Sequence, residues 1–112
     1  MKRKPPKALS KFRNIPTSVD GIRFDSKKEA ARYCELKLLE KAKVIADLRL
    51  QVRIPLNVNG KKIGHYIADF VYLENGRQVV EDVKSTATKT PLYNLKKKIL
   101  ATYEPPIEII EV

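Results

Sequence analysis

The alternation of apolar and polar residues along the middle of the chain predicts three β-strands. Apolar residues recur at alternate positions within residues 48–58, 63–73 and 78–84, as in strands with one buried and one solvated face. Asn59-Gly60 and Asn75-Gly76 separate these segments, and Asn-Gly is the strongest short signal for a two-residue hairpin loop. The sequence therefore predicts an antiparallel three-stranded meander. The apolar residues of the first strand are expected to share one face: Leu48, Leu50, Val52, Ile54, Leu56 and Val58.

Helical periodicity on both sides of the meander predicts two helices. Ser26 to Glu29 has the spacing of a capping box, and a helix is predicted from Lys27 to Ala42, after a short extended piece. Its apolar stripe is expected to contain Ala30, Cys34, Leu38 and Ala42, widened by Ala31 and Leu39. Thr90-Pro91 combines an N-cap with proline at the first helical position, and Pro105-Pro106 ends the second helix. The stripe predicted there consists of Leu92, Leu95, Ile99 and Tyr103.

A final apolar strand at residues 107–112 completes the order helix, three strands, helix, strand. The predicted fold class is α/β, with a mixed sheet flanked by two helices. A chain of 112 residues can build one domain with a modest core, which we assign to residues 17–112. Residues 1–16 are basic and contain three prolines that oppose regular structure, so we expect a flexible arm.

The charge balance points to a polyanionic partner. Lysine and arginine number 23 against 13 acids, giving a net charge of +10, and nucleic acid is the first partner to expect. A generic basic protein of the ribosome or the membrane surface would show the same excess. No apolar run approaches the ~18 residues of a membrane span, no secretory signal is visible, and the single cysteine, Cys34, fits a reducing compartment. We expect a cytoplasmic protein with no membrane partner.

Two groups of basic residues are candidates for contact with nucleic-acid phosphates. The arm contains Lys2, Arg3, Lys4, Lys7, Lys11 and Arg13, and the second predicted helix contains Lys96, Lys97 and Lys98. The alternatives are a solubilising tail for the first group and a solvated helix face for the second. Charge does not distinguish DNA from RNA.

The hairpin at Asn75-Gly76 brings two acids face to face. With these two residues as the loop, the numbers of facing residues sum to 151, so Asp69 lies opposite Asp82. Facing residues have Cβ atoms about 4.5–5.5 Å apart, and two carboxylates at that distance repel unless a cation lies between them. Lys84 projects from the same face as Asp82. This arrangement suggests a hydrolytic metal site.

The kind of metal follows from the residues that the chain lacks. One histidine and one cysteine are too few for a usual structural zinc site. A metal would therefore be a hard ion bound through oxygen, with Mg²⁺ or Mn²⁺ as the leading candidates.

Each candidate residue also has a structural interpretation. Asp69, expected to share a face with Ile67 and Val71, would otherwise be an acid in an ion pair or on a solvated face. Asp82 and Lys84 would otherwise be a surface charge pair, which contributes little. The local pattern favours Glu29 as a helix cap, with reach to the metal as the alternative. Weaker candidates are Gln51 and Tyr93 for substrate contact, His65 as ligand or base, and Glu81 on the opposite face.

Three stretches, in this order, resemble the PD-(D/E)XK nuclease superfamily: Val19-Asp-Gly-Ile-Arg-Phe-Asp-Ser-Lys-Lys-Glu-Ala30, Tyr66-Ile-Ala-Asp-Phe70 and Val80-Glu-Asp-Val-Lys-Ser85. Within it, the chain is similar to small phage and prophage proteins described as Holliday-junction-resolvase-like endonucleases. The likeness runs from about Asn14 to Tyr103. Ala68 stands where the superfamily's name has proline.

The resemblance implies a restriction-endonuclease-like core and Mg²⁺-dependent cleavage of DNA, with Glu29, Asp69, Asp82 and Lys84 as the catalytic residues. It places the metal on Asp69, Asp82, the Val83 carbonyl and Glu29. The substrate is left open between linear, flap and four-way DNA, and a junction resolvase would need a homodimer to supply two sites. The expected location is the cytoplasm of a bacterial host that carries the phage or prophage. The alternative is a basic nucleic-acid-binding module without catalysis.

Overall fold

A computed structural model of the protein describes residues 17–84 and 89–112, so the basic arm predicted at residues 1–16 lies outside the described part. The elements are β1 (Thr17–Val19), β2 (Ile22–Phe24), α1 (Lys27–Lys41), β3 (Ala46–Val58), β4 (Lys61–Glu74), β5 (Arg77–Asp82), α2 (Pro91–Ala101) and β6 (Ile109–Glu111). The predicted order of helices and strands is confirmed, and a β1–β2 hairpin precedes it. Within the described ranges, no helix has the length and apolar content needed to cross a membrane.

A four-stranded mixed sheet forms the centre of the fold, with the strand order β3-β4-β5-β6. The first three strands are antiparallel neighbours, as predicted, and β6 pairs with β5 in parallel. Asn75 and Gly76 both have positive φ, at 54° and 77°, as the loop of a tight β-hairpin requires. The register from Phe70↔Glu81 to Glu74↔Arg77 follows the predicted sum of 151.

The two helices pack on opposite faces of this sheet. One apolar cluster gathers residues of α1 with Phe70 and Tyr72, and Val79 packs against it. The other gathers residues of α2 with Val71 and Val80. Neighbouring residues of a strand point to opposite faces, so each cluster fills one side of β4 and β5. The predicted arrangement, a mixed sheet flanked by two helices, is confirmed at this level.

Strict alternation fails at one point in the middle of β3 and β4. Leu50 packs in the α1 cluster, whereas Val52, two residues later, packs in the α2 cluster. On β4 the same change occurs between Phe70 and Ala68. The expectation that Leu48 to Val58 present a single apolar face is therefore wrong. Gln51, the residue between the two parts of β3, has a φ of 52°, and this left-handed residue rotates the strand about its own axis.

The buried side of α1 also differs from the predicted stripe. The buried residues are Glu29, Ala30, Tyr33 and Leu36, whereas Cys34 and Leu38 are exposed. The predicted stripe repeated every four residues, and each such step turns about 40° too far around a helix of 3.6 residues per turn. Only Ala30 and the half-buried Leu39 of that stripe face the core.

In α2 the buried side is shifted by about one residue. Tyr93 and Leu100 are buried, whereas Leu92 and Leu95 are 59% and 55% exposed. The predicted residues Ile99 and Tyr103 do pack against the core cluster. The shift places the Tyr93 hydroxyl 2.6 Å from Oε2 of Glu111 on β6, a polar contact that apolar periodicity does not reveal.

Leu36 and Leu38 provide a matched test of how α1 faces the sheet. Leu36 is fully buried and Leu38 is 69% exposed. Leu36→Ala should lower the free energy of unfolding by about 2–5 kcal/mol, because it leaves a cavity in the core. Leu38→Ala should change it by less than about 0.5 kcal/mol. Urea unfolding of both variants measures the difference. A larger loss of unfolding free energy in Leu38→Ala than in Leu36→Ala would show that α1 faces the sheet with the stripe predicted from the sequence.

Candidate active site

Asp69 and Asp82 lie opposite each other where the β4–β5 ladder ends. The last regular pair is Phe70↔Glu81, and beyond it the carboxylates themselves join the strands. The Asp69 N–H donates to Oδ1 of Asp82 at 2.8 Å, and the Val83 N–H donates to Oδ2 of Asp69 at 2.9 Å. Each acid thus accepts a backbone hydrogen bond from the opposite strand, and the predicted juxtaposition is confirmed.

The second oxygen of Asp82 has no hydrogen-bond partner. The residue is 1% exposed, and its Oδ2 is buried. The Lys84 Nζ lies 3.6 Å away, close enough for an ion pair. Burial raises the pKa of Asp82, while the Asp69 N–H and the Lys84 ammonium lower it. A buried carboxylate oxygen without a donor is costly, so this atom is the most direct sign of a site that accepts a cation.

Lys84 is held between the acid and the α2 helix. Its Nζ lies 4.2 Å from the centroid of the Tyr93 ring, a cation–π contact. The Tyr93 hydroxyl donates to Glu111, which also accepts from Lys97 at 3.1 Å. Lys28 of α1 donates to the Lys84 carbonyl at 3.1 Å. Both helices therefore contribute to the position of the lysine.

Gln51 connects the acid on α1 with the acid on β4. In the β3–β4 register it faces Asp69, in the gap between Leu50↔Phe70 and Val52↔Ala68. Its Nε2 donates to Oε2 of Glu29 and to Oδ1 of Asp69, at 3.2 Å each. From the sequence, Gln51 is only a weak candidate for substrate contact. Its position opposite Asp69 arises from the register shift between Leu56 and Asn57. Without that shift, the register next to the Asn59-Gly60 loop, where Val58 pairs with Lys61, would place Gln51 opposite Ala68.

Glu29 has its backbone in the helix cap and its carboxylate in the site. Its N–H donates to the Ser26 hydroxyl at 3.1 Å, which confirms the N-cap. Burial first, then the carboxylates of Asp69, Asp25 and Asp82, raise the pKa of Glu29 to about 7, against a backbone hydrogen bond at Asp25 that lowers it. The Glu29 N–H therefore takes part in the Ser26 cap, while its carboxylate, which the capping-box interpretation directed to the Ser26 backbone, accepts from the Gln51 amide instead.

Asp69 has a similar electrostatic environment. Burial is the main cause that raises its pKa, and the Asp25 carboxylate adds to it, while the Val83 N–H, the Gln51 amide and Lys84 lower it. The expectation that Asp69 shares one apolar face with Ile67 and Val71 is wrong, because Val71 is buried but Ile67 is 43% exposed. The strand rotation next to Gln51 accounts for this difference.

The other candidate residues are distributed outside this group. Glu81 lies on the α1 face, as expected, where it accepts two hydrogen bonds from Arg32 and one from the Tyr72 hydroxyl. Lys97 binds Glu111, whereas Lys98 is exposed and Lys96 is half-buried. Val83 is the exception, because its N–H contacts Asp69 in the site.

No group of three or more His, Cys, Asp or Glu side chains within residues 17–84 and 89–112 has the arrangement of a metal site. Glu29, Asp69 and Asp82 are linked in pairs, through Gln51 and through the backbone, and do not converge on one point. The oxygen donors nevertheless fit a hard cation, and Oδ2 of Asp82, which accepts no hydrogen bond and has the Lys84 ammonium 3.6 Å away, is a candidate ligand atom.

Comparison with known proteins identifies the family of the chain. The family model described as "Protein of unknown function (DUF1064)" matches residues 9–108, so the chain belongs to this family. No curated protein and no solved structure gives a significant match.

The raised pKa of Glu29 predicts a pH-dependent loss of stability. Between its usual pKa of 4.5 and about 7, the folded chain keeps a proton that the unfolded chain releases. The stability that protonated Glu29 contributes is therefore fully present below pH 4.5 and is lost as the pH rises to about 7. Glu29→Gln removes that loss, so the variant should exceed the wild type by about 1–2 kcal/mol near pH 8 and match it near pH 4.

Urea unfolding at both pH values without divalent cations measures this difference. Glu35→Gln, at an exposed position of the same helix, is the control and should leave the pH dependence unchanged. Equal pH profiles for the wild type and Glu29→Gln would contradict the electrostatic description of the site.

Proposed function

We propose that this member of the DUF1064 family is a metal-dependent endonuclease that hydrolyses phosphodiester bonds of DNA, with a restriction-endonuclease-like core of the PD-(D/E)XK type. The supporting observation is the facing pair Asp69 and Asp82, in which one buried oxygen of Asp82 lacks a donor while the Lys84 ammonium lies 3.6 Å from it. A buried and a half-buried acid that face each other beside one lysine are more costly than a structural role explains.

Asp69 and Asp82 would hold Mg²⁺ or Mn²⁺, joined by the Val83 carbonyl and Glu29. When bound, such an ion stabilises charge on the phosphate and lowers the pKa of water. Lys84 places a positive charge next to the same acids, where it stabilises negative charge that develops on the phosphate or orients the attacking water. Gln51 keeps Glu29 and Asp69 at a fixed separation through its amide.

The basic surface would hold the DNA backbone with little dependence on sequence. The net charge of +10 favours this function, and the residues proposed for it are those of the arm together with Lys96, Lys97 and Lys98. Linear, flap and four-way DNA all remain candidate substrates, and a homodimer would supply the two sites that junction resolution needs. The cytoplasm of a bacterial host is the proposed location.

A second candidate function is a nucleic-acid-binding module without catalysis. The observation that favours it is the absence, within the described residues, of a ready-made group of metal-ligating side chains. In this alternative the Lys84 ammonium already balances Asp82 and no cation is needed. The two functions differ in their requirement for a metal and for Asp82.

Asp82→Asn tests the proposed nuclease directly. The substitution keeps the shape of the side chain and removes its charge, so metal-dependent cleavage should fall by roughly 100-fold or more. The measurement is cleavage of linear, flap and four-way DNA with Mg²⁺ or Mn²⁺. Asp47→Asn, at an exposed aspartate whose ion-pair partner is Arg49, is the control. Cleavage unaffected by Asp82→Asn would remove this site from the mechanism, and DNA binding without cleavage would favour the second function.

Lys84→Met separates the lysine's role from metal binding. We expect cleavage to fall by roughly 100-fold, while the rise in melting temperature caused by Mn²⁺ is retained or increased, because a competing positive charge has been removed. Asp82→Asn should lose both properties. A Lys84→Met variant that cleaves like the wild type would show that the ammonium has only a structural role.

A further inference from the structure

The β3–β4 ribbon has an open face beyond Gln51. Val52, Ile54 and Leu56 pack towards α2, so the alternate residues of β3 point away from that helix. Arg53 and Pro55 are exposed, and on β4 Ile67 is exposed and His65 half-buried. This open face begins next to the candidate active site.

The ribbon is also strongly basic. The 21 residues between Asp47 and Asp69 contain Arg49, Arg53, Lys61 and Lys62 and no Asp or Glu. Desolvation and the nearby cations Arg53, Lys96 and Lys62 lower the pKa of His65. The positive potential here is therefore not offset by a neighbouring carboxylate.

Arg53 differs from Arg32 and Arg49 in its contacts with acids. Arg32 binds Glu35 and Glu81, and Arg49 binds Asp47. In residues 17–84 and 89–112, Arg53 has no acid within ion-pair distance, and its Nη1 instead lies 3.0 Å from Nε2 and 3.3 Å from Nδ1 of His65. A neutral imidazole accepts from the guanidinium and holds it in one orientation, while the remaining donors stay available.

The location of Arg53 connects it with the acids. It follows Gln51 by two residues, which is roughly 7 Å along a strand, and it pairs with Ile67, two residues before Asp69. A ligand that reaches the acids along the open face would therefore meet the guanidinium. A planar guanidinium without a carboxylate partner matches a phosphate through two parallel hydrogen bonds.

We propose that Arg53, oriented by His65, binds a backbone phosphate of DNA next to the phosphate held at the acids, so that the open face of the β3–β4 ribbon is part of the DNA-binding surface. This inference rests on the proposed function and adds a substrate contact to it. No phosphate contact on this ribbon followed from the sequence, because the unpaired state of Arg53 depends on contacts between strands.

The test is DNA binding by the full chain, measured without cleavage. Fluorescence anisotropy with a labelled DNA duplex in EDTA gives the affinity at several salt concentrations. Arg53→Gln should weaken binding roughly tenfold or more and reduce the slope of log K against log salt by about 0.9, the share of one phosphate contact. Arg53→Lys keeps the charge and should keep most of the slope while it loses the paired hydrogen bonds.

Arg49→Gln is the matched control, because Arg49 lies on the same strand and its charge is already paired with Asp47. It should leave the slope nearly unchanged, and melting temperatures establish that all variants are folded. A slope equal to wild type in Arg53→Gln, or an equal reduction in Arg49→Gln, overturns the inference.

Failure of this inference is distinguishable from failure of the proposed function. An Arg53-dependent slope in a protein that cleaves no DNA would keep the contact and reject the nuclease. Asp82-dependent cleavage with an Arg53-independent slope would keep the nuclease and reject the contact.

Discussion

The removal of two facing carboxylates from water is the constraint on which this structure depends. Asp69 and Asp82 face each other across two strands, and the chain holds them there with backbone N–H groups and the Lys84 ammonium. Burial still raises the pKa of both acids. Burial of charge costs stability unless it is compensated. The contacts around the two acids provide that compensation. Lys84 lies against the Tyr93 ring, and Tyr93 is in turn bound to Glu111.

The rotation of β3 and β4 at Gln51 and Asp69 explains how two helices on opposite faces reach the same acids. A regular strand would direct Asp69 to one face, within reach of one helix. Here the apolar side chains change face between Leu50 and Val52, and Glu29 of α1 meets Asp69 through the Gln51 amide. Positive φ in a non-glycine residue is uncommon and is found at functional sites. The left-handed residue Gln51 thus both interrupts the alternation of β3 and supplies the amide that joins Glu29 and Asp69.

The parts predicted correctly from sequence are those that local chemistry decides. Asn75 and Gly76 select a two-residue loop, and that loop fixes the pairing that puts Asp69 opposite Asp82. The faces of the helices were predicted less well because distant polar contacts choose them: Tyr93 is turned inward, where its hydroxyl meets Glu111, although Leu92 and Leu95 have the apolar spacing. The prediction of a single apolar face on β3 was wrong at Gln51, because nothing in the residue types there indicates a left-handed backbone conformation. The nuclease assignment itself stays a prediction.

The Gln51 amide offers a physical account of a site that has acids but no ready-made metal group. Its single nitrogen donates to both Glu29 and Asp69, so it offsets part of the repulsion that a divalent cation would offset more completely. Burial first, and then the Asp69 carboxylate, raise the pKa of Glu29 to about 7, so the compensation by Gln51 is incomplete and some repulsion remains. Any cation that binds these carboxylates removes that repulsion and lowers their pKa values, so its affinity must rise with pH through the same window. The charge clustering that costs the free chain stability is thus the source of its attraction for a hard cation.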